Sequence, residues 1–285
     1  MRASSTPEVA PSPRKDLERQ QRRWAERAGV EHDSRGFVRD SEANLRVPMS
    51  AATRAAFARG TELDPRNKQP ARIAALCSSA ALVANVFDHW SARDAAPLVA
   101  ALGLGADAST LAFEEPLPTG VEGDPPTSDV VLRVASGRVV AIESKFGEWL
   151  VRRASNRGEL KPKYFPPGRE LWSEAGLTQC QALARELRAG RERFKHLHAA
   201  QLLKHALGLA RTAGGDFELR YLYYEWPCGP AAAHRDELER FARRVGAEAR
   251  FSASTYQGLF RALDADARVD RAYVEYLRTR YFRAV

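Results

Sequence analysis

Cysteine and long apolar runs are scarce in this sequence. The three cysteines, Cys77, Cys180 and Cys228, are odd in number and far apart, which predicts neither a disulfide framework nor a paired-cysteine metal site. Residues 80–87 are among the longest apolar stretches and fall far short of the roughly 20 residues that a membrane helix needs. The first 15 residues lack the apolar core of a secretory signal. These absences predict a protein of the reducing cytoplasm with no membrane contact.

Length and composition predict one main globular domain. The chain has 285 residues, of which 44% are hydrophobic and 28% are charged, as in ordinary soluble proteins. This length suits one sizeable domain or one domain with an elaborated N-terminus. We predict an N-terminal extension over residues 1–69, partly disordered because it starts with a run rich in serine and proline. Residues 70–285 are predicted to form the main domain.

Residues 128–146 are predicted to form a β-hairpin, because apolar side chains alternate along two runs that a short turn separates. The pair Ser136-Gly137 does not suit a two-residue loop, which needs left-handed residues at both central positions or glycine first. A three-residue loop that ends on Gly137 places the glycine at the left-handed position. That loop pairs Val134 with Arg138.

The same register places two carboxylates opposite each other. Asp129 faces Glu143, and Lys145 lies on the same side of the second strand, two residues further along. Directly opposite side chains have Cβ atoms about 5 Å apart, so the two negative charges repel. A divalent cation between them removes the repulsion, since hard cations such as Mg²⁺ take carboxylate oxygens as ligands. The hairpin is therefore predicted to carry a metal site.

The spacing of Asp129 with Glu143-Ser144-Lys145 resembles the motif of the PD-(D/E)XK nuclease superfamily, which has the restriction-endonuclease-like fold. Ser128 stands where the name of the motif has proline, and Pro125-Pro126 lies slightly ahead. Further segments are similar to a bacterial branch of restriction endonucleases: LCSSAALVANVF (76–87), FEEPLPTG (113–120), IESKF (142–146), QLLKHALGLAR (201–211) and YLRTRYF (276–282). The resemblance covers most of the chain beyond about residue 70.

This resemblance implies a fold and an activity. The fold would be α/β, with a mixed central β-sheet flanked by helices over residues 70–285 and a helical N-terminal extension before it. The activity would be Mg²⁺-dependent hydrolysis of phosphodiester bonds in DNA, with Mn²⁺ as a substitute. Asp129, Glu143 and the backbone carbonyl of Ser144 would hold the metal, and Lys145 would orient the attacking water. Burial would lower the pKa of Lys145 and the carboxylates would raise it, and the sequence leaves both outcomes open.

Two further site residues follow from the resemblance. It places a third acidic residue just before the hairpin, where we prefer Glu114 to Glu115, and a surface pair of glutamates is the alternative. Gln201 resembles the glutamine of the Q-x-x-x-Y feature of exonuclease-type branches and would position metal or water. His205 lies four residues later, and we expect an interior histidine with satisfied hydrogen bonds rather than a catalytic one.

The excess positive charge lies in one segment. Residues 151–211 hold thirteen Lys and Arg against five Asp and Glu, which accounts for the whole net charge of +8. A basic segment next to a metal motif favours a nucleic-acid ligand over a merely solvated face. Within it, Tyr164, Phe165 and Trp172 are interleaved with basic residues, which suits phosphate contact plus base stacking. The residues predicted to contact DNA are Arg152, Arg153, Lys161 and Lys163.

Two other functions remain open at this point. One is a non-catalytic nucleic-acid-binding protein on the same fold, and the other is a nuclease that acts on RNA. The intact acidic and lysine set argues against the first, because facing carboxylates repel a polyanion and a pure binder gains nothing from them. We therefore expect DNA as the partner, with a homodimer as one assembly it could form.

Overall fold

The helices and strands are given for residues 12–65, 69–105, 109–152 and 160–282, which the computed structural model describes. The α-helices within these ranges are α1 (Pro13–Ala28), α2 (Ala51–Arg59), α3 (Ser79–Phe87), α4 (Ala96–Ala101), α5 (Leu171–Glu174), α6 (Thr178–Ala189), α7 (Ala199–Thr212), α8 (Pro230–Val245), α9 (Tyr256–Ala265) and α10 (Arg271–Leu277). The strands are β1 (Ser109–Pro116), β2 (Thr127–Val134), β3 (Val139–Lys145), β4 (Phe217–Tyr223) and β5 (Ser252–Thr255). A short π-helix, Arg278–Phe282, continues α10.

The five strands form one mixed sheet in the order β1-β2-β3-β4-β5. The pairs β1–β2 and β2–β3 are antiparallel, whereas the pairs β3–β4 and β4–β5 are parallel. Parallel neighbours need a crossover, and the helices α7 and α8 provide it on either side of β4. The expected α/β class with a mixed central sheet flanked by helices is confirmed.

Helices cover both faces of the sheet, and neighbouring residues of β3 show which helix lies where. Glu143 points to His205 of α7, whereas the hydroxyl of Ser144 contacts the hydroxyl of Tyr256 in α9 at 2.6 Å. Consecutive side chains of a strand point to opposite faces, so α7 and α9 lie on opposite sides of the sheet. The middle of β3 is fully buried between these layers.

The helix boundaries differ from the sequence patterns in two places. Apolar periodicity predicts a helix over residues 71–90, but α3 begins only at Ser79, because the side chain of Ser78 accepts from Ala81 N at 3.2 Å and caps it. A helix is also predicted from Phe194, yet α7 begins at Ala199. Glu237 of α8 accepts from the backbone N–H groups of residues 195–197, which holds that segment in a loop. Both differences come from capping and tertiary contacts.

The residues before the main domain contribute to the same core as the sheet. Leu17 of α1 and Phe57 of α2 are fully buried and belong to one cluster with the strand residues. The disorder expected at the start of the chain falls mainly on residues 1–11, which lie outside the described residues. Nowhere in the described ranges is a helix both long and apolar enough to span a bilayer.

Candidate active site

The candidate site lies at one edge of the central sheet, where β1, β3 and β4 end and β2 begins. In the β1–β2 register, Phe113 pairs with Val130 and Glu115 with Ser128, which places Glu114 level with Asp129. The β2–β3 register then places Asp129 level with Glu143. Three carboxylates from three adjacent strands therefore lie in one row across the sheet.

The hairpin register agrees with the sequence prediction. Val134 N donates to Arg138 O at 3.0 Å, and Gly137 has a left-handed φ of 91°. The paired residues run from Arg133 with Val139 to Val130 with Ile142, so the next opposite pair is Asp129 and Glu143. Asp129 also interrupts the ladder, because its Oδ2 accepts the backbone N–H of Ser144 at 2.6 Å. The charged pair thus stands at the point where regular pairing ends.

Glu143 is the most enclosed of the three acids and has two neighbours. Its Oε1 forms an ion pair with the Lys145 ammonium, and its Oε2 lies 3.4 Å from Nδ1 of His205. Glu143 is 1% exposed and His205 is fully buried. Within the described residues, neither Glu143 Oε2 nor either ring nitrogen of His205 has a hydrogen-bond partner of good geometry. Unsatisfied buried polar atoms are rare, so this cluster has unused capacity to bind a ligand or ion.

The pKa values of the two facing carboxylates are shifted in opposite directions. Burial, followed by the charge of Glu143, raises the pKa of Asp129 well above its ordinary value. Burial also acts to raise the pKa of Glu143, but Lys145 and His205 outweigh it and the net pKa is lowered. Glu143 is therefore the stronger acid of the pair and Asp129 the weaker one.

Lys145 is a cation at this site. Burial acts to lower its pKa, but the carboxylates of Glu143 and Asp129, with a contribution from Glu148, raise it above its ordinary value. The side chain is 16% exposed, whereas that of its partner Glu143 is 1% exposed. Of the two alternatives that the sequence left open, the structure favours the raised pKa.

Glu114 occupies a strained position beside Asp129. Its φ of 44° lies in the left-handed region, which costs a residue with a side chain about 1–3 kcal/mol unless its surroundings enforce it. It is 7% exposed, and burial, followed by the charges of Glu62 and Glu143, raises its pKa to about 7. Glu115 instead forms a salt bridge with Arg133. The alternative, in which Glu114 and Glu115 form a surface pair of glutamates, is wrong because Glu114 is buried.

The first half of α7 faces this cluster. His205 contacts Glu143, and Gln201 lies half-buried one helical turn earlier, on the same side of the helix. The expected interior position of His205 is confirmed, but the expected hydrogen bonds are absent among the described residues. Burial lowers the pKa of His205 to about 4, so the ring is neutral at pH 7. The contact between His205 and Glu143 joins distant segments and is visible only in the tertiary structure. In the sequence, the one indication of a role for His205 was its position four residues after Gln201.

The donors at this edge of the sheet fit a divalent cation. No group of three or more His, Cys, Asp and Glu side chains within the described ranges is placed to hold a metal ion. Two carboxylates stand opposite each other, however, and the Ser144 side chain points to the other face, which leaves only its backbone on their side. Mg²⁺ binds through one or two carboxylates and completes its shell with water and substrate phosphate. Two carboxylates and a backbone carbonyl are therefore sufficient for such an ion.

The predicted DNA-contacting residues follow β3 at the same edge. Arg152, Lys161 and Lys163 are exposed, whereas Arg153 lies outside the described residues. The ammonium of Lys163 donates to the carbonyl of Glu122, in the loop that leads into β2. This contact ties the basic segment to the loop beside Asp129.

Two of the aromatic residues expected to stack on bases are part of the core. Tyr164 is 5% exposed and Trp172 is fully buried, with its indole N–H donating to Leu203 O at 2.8 Å. Phe165 packs on Trp172 with ring centroids 5.8 Å apart, and the Arg188 guanidinium covers it. Base stacking by Tyr164 and Trp172 is therefore wrong, because these rings anchor the segment to α7.

Comparison with protein families adds an independent observation. A family model described as "Restriction Endonuclease associating with ARP" matches residues 20–282. The chain belongs to this family. No curated protein and no solved structure matches the chain. Membership in a restriction endonuclease family agrees with the mixed α/β sheet and supports a nuclease-related function with DNA as substrate. The match also begins before the main domain and includes Phe57, which belongs to the same core.

Proposed function

We propose that this restriction endonuclease family member is a metal-dependent nuclease of the PD-(D/E)XK type that hydrolyses phosphodiester bonds in DNA. The observation that carries the proposal is the row of acids at the sheet edge, where Asp129 faces Glu143 and the Lys145 ammonium pairs with Glu143. Placing two carboxyl groups side by side is costly once both are ionised, and a chain retains such an arrangement where a cation or reacting group uses it.

In this proposal Asp129, Glu143 and the Ser144 carbonyl hold Mg²⁺, for which Mn²⁺ substitutes. A bound divalent cation lowers the pKa of water and neutralises charge that develops on the scissile phosphate. The Lys145 ammonium, fixed by Glu143, orients the attacking water and stabilises the anionic transition state. Glu114 and Gln201 complete the site as the third acid and the residue that positions metal or water.

The proposed DNA contacts extend from this row along the segment after β3. Arg152, Arg153, Lys161 and Lys163 would bind phosphates on either side of the scissile bond. We place the activity in the cytoplasm. A homodimer would supply one site for each strand of a duplex, and sedimentation of the protein with and without DNA tests that assembly.

The experiment that tests the proposal is cleavage of plasmid and linear DNA in Mg²⁺, Mn²⁺ or EDTA. We expect cleavage in Mg²⁺ and Mn²⁺ and none in EDTA. Glu143→Gln removes the charge at nearly constant size and should abolish cleavage. Glu115→Gln is the matched control, because Glu115 is the neighbouring acid that pairs with Arg133 outside the row. Cleavage by Glu143→Gln at the wild-type rate would remove Glu143 from the site.

Calcium separates the proposal from its rival, a non-catalytic DNA-binding protein. Either divalent cation should screen the acids and tighten DNA binding relative to EDTA. Ca²⁺ accepts six to eight oxygens at about 2.3–2.6 Å in loose geometry, whereas Mg²⁺ requires an octahedron at about 2.1 Å. Because small misplacement costs large factors in rate, Ca²⁺ should support binding with little or no cleavage. Equal affinity in EDTA, Ca²⁺ and Mg²⁺, without cleavage in any metal, favours the rival.

A further inference from the structure

A second concave surface lies at the same edge of the sheet, on the other face. It is a cavity of about 580 Å³ between α1, the residues that follow β4, and the π-helix at 278–282. Its floor is aromatic and its rim is polar. The residues that matter for the argument are Arg19, Gln20 and Arg23 of α1, with Tyr224, Trp226 and Phe282.

The floor consists of three nearly parallel rings. Tyr224 lies 6.3 Å from Trp226 and 5.9 Å from Phe282 between ring centroids, at interplanar angles of 28° and 29°. Tyr224 is buried, whereas Trp226 and Phe282 are only half-buried and line the cavity. Partly exposed rings of this kind are the platforms on which proteins stack nucleobases, with about 1–3 kcal/mol per base.

The rim favours an anion and offers an amide. Arg19 and Arg23 are exposed and one helical turn apart, so both guanidinium groups lie on the same side of α1. The two acids of the rim are already compensated, Asp16 by Arg19 at 3.4 Å and Glu225 by Arg235 at 2.7 Å. Gln20 Oε1 is buried and has no hydrogen-bond partner within the described part of the chain.

The cavity is close to the row of acids. Tyr224 N donates to Lys145 O at 2.8 Å, so the strand that carries the catalytic lysine is the direct neighbour of the cavity floor. Trp226 follows two residues later, which places it on the order of 10 Å from the Lys145 backbone. The ring of Tyr224 packs on Phe146 rather than Lys145, so the cavity opens on the face opposite α7. A strand cut at the edge reaches it within a few nucleotides.

We propose that this cavity binds one unpaired nucleobase of the strand being cut, stacked on Trp226, with the adjacent phosphate on Arg19 and Arg23. The inference rests on the nuclease function proposed above and adds a preference for single-stranded or locally opened DNA. A base in an intact duplex is stacked between its neighbours and enters such a cavity only after it leaves the helix. Guanidinium groups beside an aromatic floor match a nucleotide better than an apolar peptide, which offers them no anion.

The test uses a single-stranded DNA octamer with one 2-aminopurine, and the same sequence as a duplex, with the full-length protein in Ca²⁺. Stacking quenches 2-aminopurine, so we expect quenching with the single strand. Trp226→Leu should weaken single-strand binding about tenfold or more, while Trp226→Phe keeps a ring and restores most of it. Thermal unfolding and near-ultraviolet circular dichroism identify any variant that fails to fold.

The arginines are tested in the same assay. Arg19→Ala with Arg23→Ala should weaken binding and flatten its dependence on log[salt] by about 0.7 for each phosphate that the variant no longer binds. Arg39→Ala with Arg243→Ala is the matched control, since both residues are exposed and lie outside the cavity. Wild-type affinity and quenching in folded Trp226→Leu overturn the inference, even if the protein cuts DNA. Binding that depends on Trp226 in a protein that never cuts supports the cavity and overturns the nuclease proposal instead.

Discussion

At the scale of single residues, Asp129 and Glu143 have pKa values shifted in opposite directions although they face each other across the hairpin. The Lys145 ammonium favours ionised Glu143, and the resulting negative charge, after burial itself, raises the pKa of Asp129. A metal ion needs both carboxylates in the ionised form. Binding of a cation at this pair therefore competes with the binding of a proton by Asp129.

The first prediction concerns that proton. We expect Mg²⁺ binding in the absence of DNA to release up to one proton per ion, and apparent affinity to increase with pH. Calorimetric titration in two buffers of different ionisation enthalpy measures the released protons directly. Asp129→Asn should remove both the release and most of the affinity. An affinity that does not change with pH would contradict the raised pKa of Asp129.

The second prediction concerns Glu114, whose pKa is raised to about 7. A folded-state pKa above the unfolded value means that the folded protein binds the proton more tightly. Proton binding by Glu114 therefore stabilises the folded protein fully below about pH 4.5, and this stabilisation is lost as the pH rises through about 7. Relative to Glu114→Gln, the wild type should lose about 3 kcal/mol of unfolding free energy across this window in EDTA. Urea unfolding at several pH values measures the unfolding free energies of both proteins. If these free energies change with pH in parallel, the pKa of Glu114 is not raised.

At the scale of elements, the end of α2 fixes where Glu114 lies. A Cβ on Gly60 would come within 2.6 Å of Glu114 Oε2 and 2.9 Å of its Cγ. Gly60 has an ordinary helical φ of −71°, so alanine is conformationally allowed there and only the contact forbids it. The approach of α2 to β1 therefore depends on the lack of a side chain at this one position.

The third prediction follows from this close approach. Gly60→Ala should displace the Glu114 side chain, cost about 1–3 kcal/mol of unfolding free energy and reduce cleavage. In a Glu114→Ala background the same substitution should be nearly neutral, because the clashing atoms are gone. Gly229→Ala is the control, since Gly229 has a helical φ of −51° and open space around its Cβ. Additive effects of Gly60→Ala and Glu114→Ala in chemical unfolding would mean that the two residues do not touch.

The elements that could be predicted from the sequence are those that local chemistry determines. The hairpin register follows from the position of Gly137 in the turn, and the row of Asp129 and Glu143 follows from the register. The start of α7 could not be predicted, because Glu237 sets it from about 40 residues further along the chain. The contact of His205 with Glu143 and the closeness of Gly60 to Glu114 also join distant segments. The division at residue 69 stays a prediction.

At the scale of the whole molecule, positive charge after β3 is expected to determine affinity for DNA. The fourth prediction is that Arg152→Ala with Lys161→Ala reduces the slope of log K against log[salt] by about 0.9 for each duplex phosphate that is no longer neutralised. Both residues are exposed. Arg243→Ala, which removes an exposed charge paired with Glu239 on α8, should leave the slope unchanged. Filter binding from low to moderate salt checks both, and equal slopes for all variants would mean that Arg152 and Lys161 face solvent in the complex.

The parts of the site come from distant stretches of the chain, and this has a consequence for its synthesis. The acids and Lys145 leave the ribosome early, but His205, which contacts Glu143, and Tyr256, which contacts Ser144 on the other face of β3, follow roughly 60 to 110 residues later. A nascent chain that ends before them carries the carboxylates in water, with ordinary affinity for protons. Under the proposed function, the capacity to cut DNA is then acquired last, when the C-terminal third has folded. An unfinished chain would leave the DNA of its own cell intact.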